Sequence, residues 1–573
     1  MHYTLDNKNP DASVELVSVY PAEDIELVNV KVVFPKAVVP ERIVIKFEIP
    51  AVDAYSVFSP SNRGMRNLGP SWSRKKTQSR LASSMPLHSI VSLEGMNRAT
   101  VALSDALIPT EIATGVHEEN AFIKFDVTLF TMPTTPITEY SVTMRVDTRN
   151  VKFYDSVYDA SRWWEEECGY TPAYVPESAR GVVNSIWYSF HQNIDVDEVV
   201  RQCELSKPLG METVIVDDGW QTDDSNRGYA YCGDWKVAAA KVPDMKSFVD
   251  RVHAAGMKFV LWYSVPFIGV YSEAYEKFKT MLLRTETDKK WYPIDPRYKE
   301  ARDYIVGIYK KAAVEWGLDG FKLDFIDSFS LGANDITPDS RRDCESLEDA
   351  VDMLMTEVYS SLRDINPEIM IEFRQSYVGP SIRKYGNMLR VHDCPNDPIC
   401  NRVEIVNLRL TSGSTPVHSD MLMWNSSDTA ESAAVQLASV LYSVPQISVL
   451  IDKLPESHLK MLTYYLAFWN ENKKLLLEGR VTASNPESNY STVRATLGDK
   501  EIITLYVSMV VESSAKEFVA VNASSEQFVY LKNVCGASYS IVNCLGELTD
   551  EGTVLSALEE KKVPIGGMIF VKN

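Results

Sequence analysis

Cysteine is sparse and scattered in this chain. The eight cysteines, at 168, 203, 232, 344, 394, 400, 535 and 544, form no Cys-x-x-Cys pair and no dense cluster. That excludes a disulfide-stapled fold and leaves free thiols as the expectation. Cys394 and Cys400 flank a segment carrying Pro395 and Pro398, and no second pair faces them, so no metal site is expected. Positive charge is also in deficit. Lys and Arg number 58 against 78 Asp and Glu, a net charge of −20, which repels the phosphate backbone that a nucleic-acid binder must neutralise. Long apolar runs are missing as well. The nearest, Val260 to Tyr271, is interrupted by Ser264, Pro266 and Gly269 and is too short for the ~20 residues a membrane helix needs. The opening MHYTLDNKNPDAS lacks the basic and apolar regions of a secretory leader, so a cytoplasmic location is expected. No phosphate-cradling Gly-rich signature, GxSxG elbow or internal repeat is present, and no cofactor is expected.

What is present fits a globular chain of several domains. The 573 residues are 45% hydrophobic and 24% charged, and about 150 residues per domain gives roughly three to four domains. Residues 1–160 carry short runs that alternate apolar and polar, such as 13–19, 26–34, 42–49, 90–94 and 122–129. This period of two predicts an N-terminal β-sandwich. Within it, Ser59 to Ser84 breaks the pattern with Arg63, Arg66, Arg74, Lys75, Lys76 and Arg80 around Trp72. Such a stretch is either a solvated basic loop or a lid reaching a neighbouring site.

Over 175–480 the pattern becomes apolar runs separated by helical segments, the alternation of βα units. Eight strand candidates stand at 182–190, 213–220, 258–266, 320–325, 370–377, 388–393, 415–424 and 444–453. Eight strands over this length predict an α/β fold, a (β/α)8 TIM barrel. After Asn470 the helical periodicity stops and short strand-like runs return, which predicts a small C-terminal antiparallel β domain over 485–573.

In such a barrel the chemistry lies at the C-terminal strand ends. Those ends gather Asp217, Asp218, Lys322, Asp324, Glu372, Arg374, Arg390, His392, Asp393, His418 and Asp420, with Trp187, Trp220, Trp262 and Trp424 among them. Sugar C–H faces pack on indoles, carboxylates bind hydroxyls, and glycoside hydrolysis needs two carboxyl groups. Asp324 and Asp393 are the best pair. Lys322, two residues before Asp324, points the same way along the strand and can hold Asp324 ionised, a nucleophile's environment. Asp393 ends the sixth strand across the rim and suits the acid/base; Asp397 is its rival, and an Asp after a strand can equally be a helix cap. Asp327 reads as a cap. His191 and His418 suit either hydroxyl contacts or a satisfied core, and Trp163 and Trp164 read as packing between domains.

Four segments then carry a family likeness in order: Val216-Asp217-Asp218-Gly219-Trp220, Gly233-Asp234-Trp235 with Lys241-Val242-Pro243, Ala255 to Trp262, and Gly320-Phe321-Lys322-Leu323-Asp324. Together they resemble the DDGW, GDW, GMKFGLW and K-x-D motifs of the melibiase-type α-galactosidases, glycoside hydrolase family 36 of clan D. The resemblance implies a retaining enzyme with Asp324 as nucleophile and Asp393 as acid/base. It further implies sugar contacts from Asp217, Asp218 and Lys322, and adds Asp234 to Trp187, Trp220, Trp262, Arg374 and Arg390 as substrate-binding candidates. Departures from the family pattern fall at Pro266-Phe267 on strand three, at Glu372-Phe373-Arg374-Gln375-Ser376-Tyr377 on strand five, and at Arg390-Val391-His392-Asp393-Cys394 on strand six. They leave room for a different or modified sugar, including an anionic one that Arg374 could pair with.

The expected function is a cytoplasmic retaining α-glycosidase, above all an α-galactosidase acting on small oligosaccharides. The rivals are a related α-glycosidase such as an α-N-acetylgalactosaminidase, a transglycosylase like the raffinose synthases, and a carbohydrate-binding relic of the fold. The expected partner is a small oligosaccharide or α-glycoside, with no nucleic acid and no membrane, and homo-oligomerisation is left open.

Overall fold

A computed structural model describes residues 1–60, 66–332 and 334–573. Eight parallel strands close into a barrel: β1 (Val182–Ser185), β2 (Met211–Val216), β3 (Lys258–Ser264), β4 (Gly320–Asp324), β5 (Met370–Arg374), β6 (Met388–Arg390), β7 (Val417–Leu422) and β8 (Val444–Ile447). Each overlaps the apolar run that predicts it. The strands are buried along almost their whole length, as expected where side chains fill the barrel and helices cover it.

The covering helices start where short polar side chains can cap them. Asp195 accepts from the Glu198 amide at 3.1 Å, Asp244 from Ser247 at 3.0 Å, Ser346 from Asp349 at 3.1 Å and Thr429 from Ser432 at 3.1 Å. Each satisfies an amide that the helix itself leaves free. The helix Lys299–Trp316 ends at Gly317, whose φ of 71° is the left-handed conformation glycine takes without strain.

Two β-sheets precede the barrel. One orders Thr4–Asn7, Ile43–Pro50, Phe122–Leu129, Thr110–His117 and Lys75–Ser79, and the other runs from Ser13–Ala22 to Ser56–Phe58 across six strands. Val28, Val30, Val32, Ile45, Phe47, Phe125 and Val127 fill the layer between them. The helix Phe153–Glu166 then leads to the barrel, with Trp163 and Trp164 buried and the Trp164 indole donating to the Leu103 carbonyl at 2.8 Å. A seven-stranded and a three-stranded sheet follow the barrel, mostly antiparallel, with parallel pairings between Lys500–Leu505 and Glu517–Asn522 and between Val510–Val511 and Phe528–Lys532.

Two expectations about the flanks change. Helical structure does not stop at Asn470: the helix Glu456–Glu478 continues through a polar stretch and buries Leu475, Leu476 and Leu477. The Ser59–Ser84 segment is not one loop either. Residues 61–65, with Arg63, lie outside the described residues. Lys75–Ser79 is a sheet strand, and Trp72 is 77% exposed. Arg80 to Ser84 does reach the barrel. The Arg80 guanidinium donates to the carbonyls of Asp327 and Phe329, just after β4, and the Ser84 amide donates to the Ser376 carbonyl, just after β5.

Candidate active site

Register sets the mouth of the barrel in layers. Trp262 on β3 lies level with Lys322 on β4, which lies level with Glu372 on β5, and Ser264 lies level with Asp324. With a period of two, Asp324 stands on the same side of its strand as Lys322, one layer further toward the mouth.

Asp324 ends β4 in a dense set of donors. Its Oδ1 accepts from Arg374 Nε at 2.6 Å, from the Tyr377 hydroxyl at 3.0 Å and from the Phe325 amide at 2.8 Å, while Oδ2 accepts from the Trp262 indole at 3.1 Å. Burial acts to raise its pKa. The charges of Arg374 and then Lys322, with the indole hydrogen bond, outweigh that and hold the carboxyl well below the ordinary range. Phe325, next in the chain, sits at φ 65°, a conformation a non-glycine residue adopts only where its surroundings impose it. Its ring lies 5.1 Å from the Arg374 guanidinium.

The aspartate pair on β2 divides its partners. Asp217 Oδ2 receives the ammonium of Lys322, and its Oδ1 accepts from the Asp218 amide at 2.9 Å. Among the described residues Asp218 has no ion-pair partner: Gln221 and Gln192 each donate to one of its oxygens at 2.6 Å. Burial therefore dominates, Asp217 adds repulsion, and the pKa of Asp218 is raised to about 6 despite the two amides. Gly219 makes this arrangement feasible. It sits at φ 120°, and a Cβ there would lie 2.6 Å from the Gln192 backbone.

On β6, Arg390 is 1% exposed and ties three carboxylates together. Its Nη1 meets Asp420 at 2.7 Å and Asp393 at 2.9 Å, and its Nε faces Glu372 at 3.7 Å. Asp420 also accepts from the Tyr188 hydroxyl at 2.9 Å and the Cys394 amide at 2.6 Å. Asp393 is the accessible member, its side chain 56% exposed where those of Asp420 and Glu372 are fully buried. Desolvation raises its pKa, and the charges of Arg390 and then Lys322 overcome that and lower it.

The structure brings Asp217, Asp218, Lys322, Asp324, Arg374, Arg390 and Asp393 together, with Trp262 against Asp324. Trp187 begins the short helix that follows β1, half-buried, its ring 4.8 Å from His191. Three assignments are corrected. Trp220 is fully buried, packs on Trp235, Tyr263 and Trp316, and donates its indole to the Trp262 carbonyl at 2.8 Å, so it props the barrel wall rather than facing a sugar. Asp234 caps the helix Glu273–Phe278, accepting from the amides of Glu273 and Ala274 at 2.8 Å each. Arg374 is committed to Asp324, with Asp327 at 3.8 Å, which leaves it poorly placed to pair with an anionic sugar. Lys322 pairs directly with Asp217 and its charge also helps to hold Asp324 ionised, with Arg374 as the direct partner of Asp324.

Asp397 caps the helix Pro398–Arg409 through the Cys400 amide at 2.9 Å, which removes it as rival to Asp393. His418 is fully buried and donates to the Ala179 carbonyl at 2.9 Å, and burial lowers its pKa to about 4, the behaviour of a core histidine. Sequence reasoning missed Tyr377, Gln192 and Gln221. Tyr377 stands in the quoted strand-five segment, but only its hydroxyl contact with Asp324 marks it. Among the described residues no group of three or more His, Cys, Asp or Glu could hold a metal ion, and no helix is long and apolar enough to cross a membrane.

A (β/α)8 barrel between β-domains, with buried carboxylates and cations at its C-terminal mouth, is the class that fold and site define. Within it, residues 172–385 match the Melibiase family model, so the motif resemblance holds over the stretch that contains β1 to β5. Curated relatives include the α-galactosidase Mel36A of Lactobacillus acidophilus, 30% identical over 158 residues, which cover 26% of this chain and 20% of that protein. The A type blood α-D-galactosamine galactosaminidase of Flavonifractor plautii is 23% identical over 174 residues, 27% of this chain and 15% of that protein. The chain thus matches a fifth or less of the length of these two relatives. Among solved structures, the GH36 α-galactosidase AgaA of Geobacillus stearothermophilus superposes with a TM-score of 0.66 at 14% identity, covering 98% of this chain and 81% of that one. A doubly substituted form of AgaA in complex with raffinose superposes at 0.65 with 14% identity, covering 100% and 86%. These likenesses bear out the β-domain, barrel, β-domain architecture.

Proposed function

We propose that the chain is a retaining α-glycoside hydrolase, an α-galactosidase that removes terminal α-galactosyl residues from small oligosaccharides by double displacement. The observation that carries this reading is the state of Asp324: a buried carboxylate at the end of β4, kept ionised by Arg374 and Lys322, with one oxygen anchored by three donors. In the first step Asp324 attacks the anomeric carbon while Asp393 protonates the departing oxygen. In the second Asp393 takes a proton from water, which displaces Asp324.

Asp393 suits this role as the carboxylate of the Arg390 cluster that solvent reaches. A sugar covering the mouth removes that solvent, and the resulting desolvation pushes its pKa upward toward the protonated form the first step needs. Asp217, Asp218 and Lys322 are the hydroxyl ligands in this reading, Asp218 accepting through its ionised form. The matches to proteins named α-galactosidases favour galactose. The match to a galactosaminidase keeps an N-acetylated or aminated galactoside as second reading. Asp324→Asn should leave the fold intact and abolish turnover of p-nitrophenyl α-galactoside, and undiminished activity would sink the assignment. A panel of aryl α-galactosides, α-N-acetylgalactosaminides, α-glucosides and β-arabinosides separates the sugars, and product analysis with added acceptor sugars separates hydrolysis from transfer.

A further inference from the structure

The two oxygens of Asp324 are held unequally. Oδ1 accepts from Arg374 Nε, the Tyr377 hydroxyl and the Phe325 amide, whereas Oδ2 carries a single hydrogen bond among the described residues, from the Trp262 indole. The first group is rigidly built. Arg374 Nη1 donates to the Gln375 carbonyl at 2.8 Å and faces Asp327 at 3.8 Å. Its guanidinium lies 5.1 Å from the Phe325 ring and 5.4 Å from the Tyr377 ring. Tyr377 is fully buried; its one hydroxyl proton is shared between Asp324 Oδ1 at 3.0 Å and the Leu323 carbonyl at 3.2 Å, and its oxygen accepts from the Phe325 amide at 3.1 Å. A planar cation fixed between two rings costs little ordering when it forms its hydrogen bond.

We propose that Oδ2 of Asp324 is the atom that attacks the sugar, and that Arg374 and Tyr377 are positioning residues whose hold on Oδ1 makes Asp324 a good leaving group in the second half-reaction. This deepens the proposed function and rests on its assignment of Asp324 as nucleophile.

The chemistry follows from where charge sits. In the first step the C1–Oδ2 bond forms and the bond from C1 to the leaving oxygen breaks. Asp324 becomes an ester, Oδ1 becomes its carbonyl oxygen, and the carboxylate loses the charge that Arg374 stabilises. In the second step a water oxygen bonds to C1, its proton passes to Asp393, and the C1–Oδ2 bond breaks. The electron pair of that bond returns to the carboxylate and spreads onto Oδ1, into donors already in place. Donors aimed at a developing negative charge assist the step in which it develops. The same donors stabilise the free carboxylate before the first step and so give no comparable help there. Their loss should therefore slow the second step selectively.

The test is a comparison of the two half-reactions. Tyr377→Phe keeps the ring and its packing on Phe373, and Arg374→Met keeps much of the stem. Stopped-flow release of nitrophenol from p-nitrophenyl α-galactoside should show a burst approaching one equivalent per site and larger than the wild-type burst in Tyr377→Phe, and in Arg374→Met at a pH high enough to keep Asp324 ionised beside Lys322 alone. A steady-state rate lower by on the order of 100-fold should follow. Mass spectrometry of quenched samples should find the galactosyl ester on the peptide containing Asp324, and Arg374→Lys should restore part of the steady-state rate. General damage to the site would slow both steps together. A slow release with no enlarged burst and no accumulated ester, in Tyr377→Phe as well as Arg374→Met, would overturn the inference while leaving Asp324 as nucleophile. An ester found on another residue would instead overturn the nucleophile assignment itself.

Discussion

Asp218 shows how a single buried carboxylate couples function to stability. Its pKa lies near 6 in the folded chain against an ordinary 3.8. The folded state thus retains a proton that the unfolded state has already released. The stabilising preference for protonated Asp218 is fully present below about pH 4 and is lost as pH rises through about 6. By neutral pH the ionised group costs on the order of 3 kcal/mol, at about 1.4 kcal/mol for each factor of ten in the proton equilibrium. Asp218→Asn is therefore expected to raise stability at pH 7 in urea melts, by up to that amount, while kcat/KM collapses. If ionised Asp218 accepts from a sugar hydroxyl, kcat/KM of the native enzyme should also fall below about pH 6, and the variant's residual activity should lack that limb. At the same scale, Asp234→Ala removes a helix cap rather than a sugar contact. It should cost about 1 kcal/mol in thermal or urea unfolding and leave KM unchanged.

At the scale of elements, strand identity is written in the local apolar runs, because every barrel strand is buried and needs them. The direction of each strand-end side chain is not. Trp220 follows Gly219 at φ 120°, which turns the chain so that the indole packs behind the mouth; residue type alone places it in front. Asp234 reads as a motif member, and the amides it caps come from a helix some forty residues later. The pairing of Lys322 with Asp217, and of Arg374 with Asp324, depends on how β2, β4 and β5 meet, which only closure of the barrel determines. The helix ending at Glu478 outlasts its pattern because Asn470 to Lys474 is polar and the Leu475 to Leu477 run that resumes burial is short. Arg80 is another long-range tie, a half-buried cation from the N-terminal domain donating to the turn after β4. Arg80→Met should lower unfolding free energy by on the order of 2 kcal/mol and depress kcat/KM, since the turn that starts at Phe325 loses its anchor.

For the whole molecule, the net charge of −20 is chiefly a property of the surface, while at the mouth Lys322, Arg374 and Arg390 are each paired with carboxylates. A neutral galactoside therefore feels little long-range field, and kcat/KM should change little between low and physiological ionic strength. A strong salt dependence would point back to an anionic sugar. The three-part organisation was legible from the change of periodicity along the chain. Of the contacts that join the parts, Trp164 was legible as domain packing and the reach of Arg80 and Ser84 stood as one of two readings, while the carbonyls they meet carry no signal in the sequence.

Double displacement requires Asp324 to form a covalent bond to the sugar. Incubation of the protein with a fluorinated galactosyl fluoride that slows the second step, followed by proteolysis and mass spectrometry, tests it directly. A single fluorogalactosyl addition is expected on the peptide that contains Asp324, with loss of activity in proportion to labelling. Stoichiometric labelling elsewhere, or steady turnover of the galactosyl fluoride by Asp324→Asn, would contradict it.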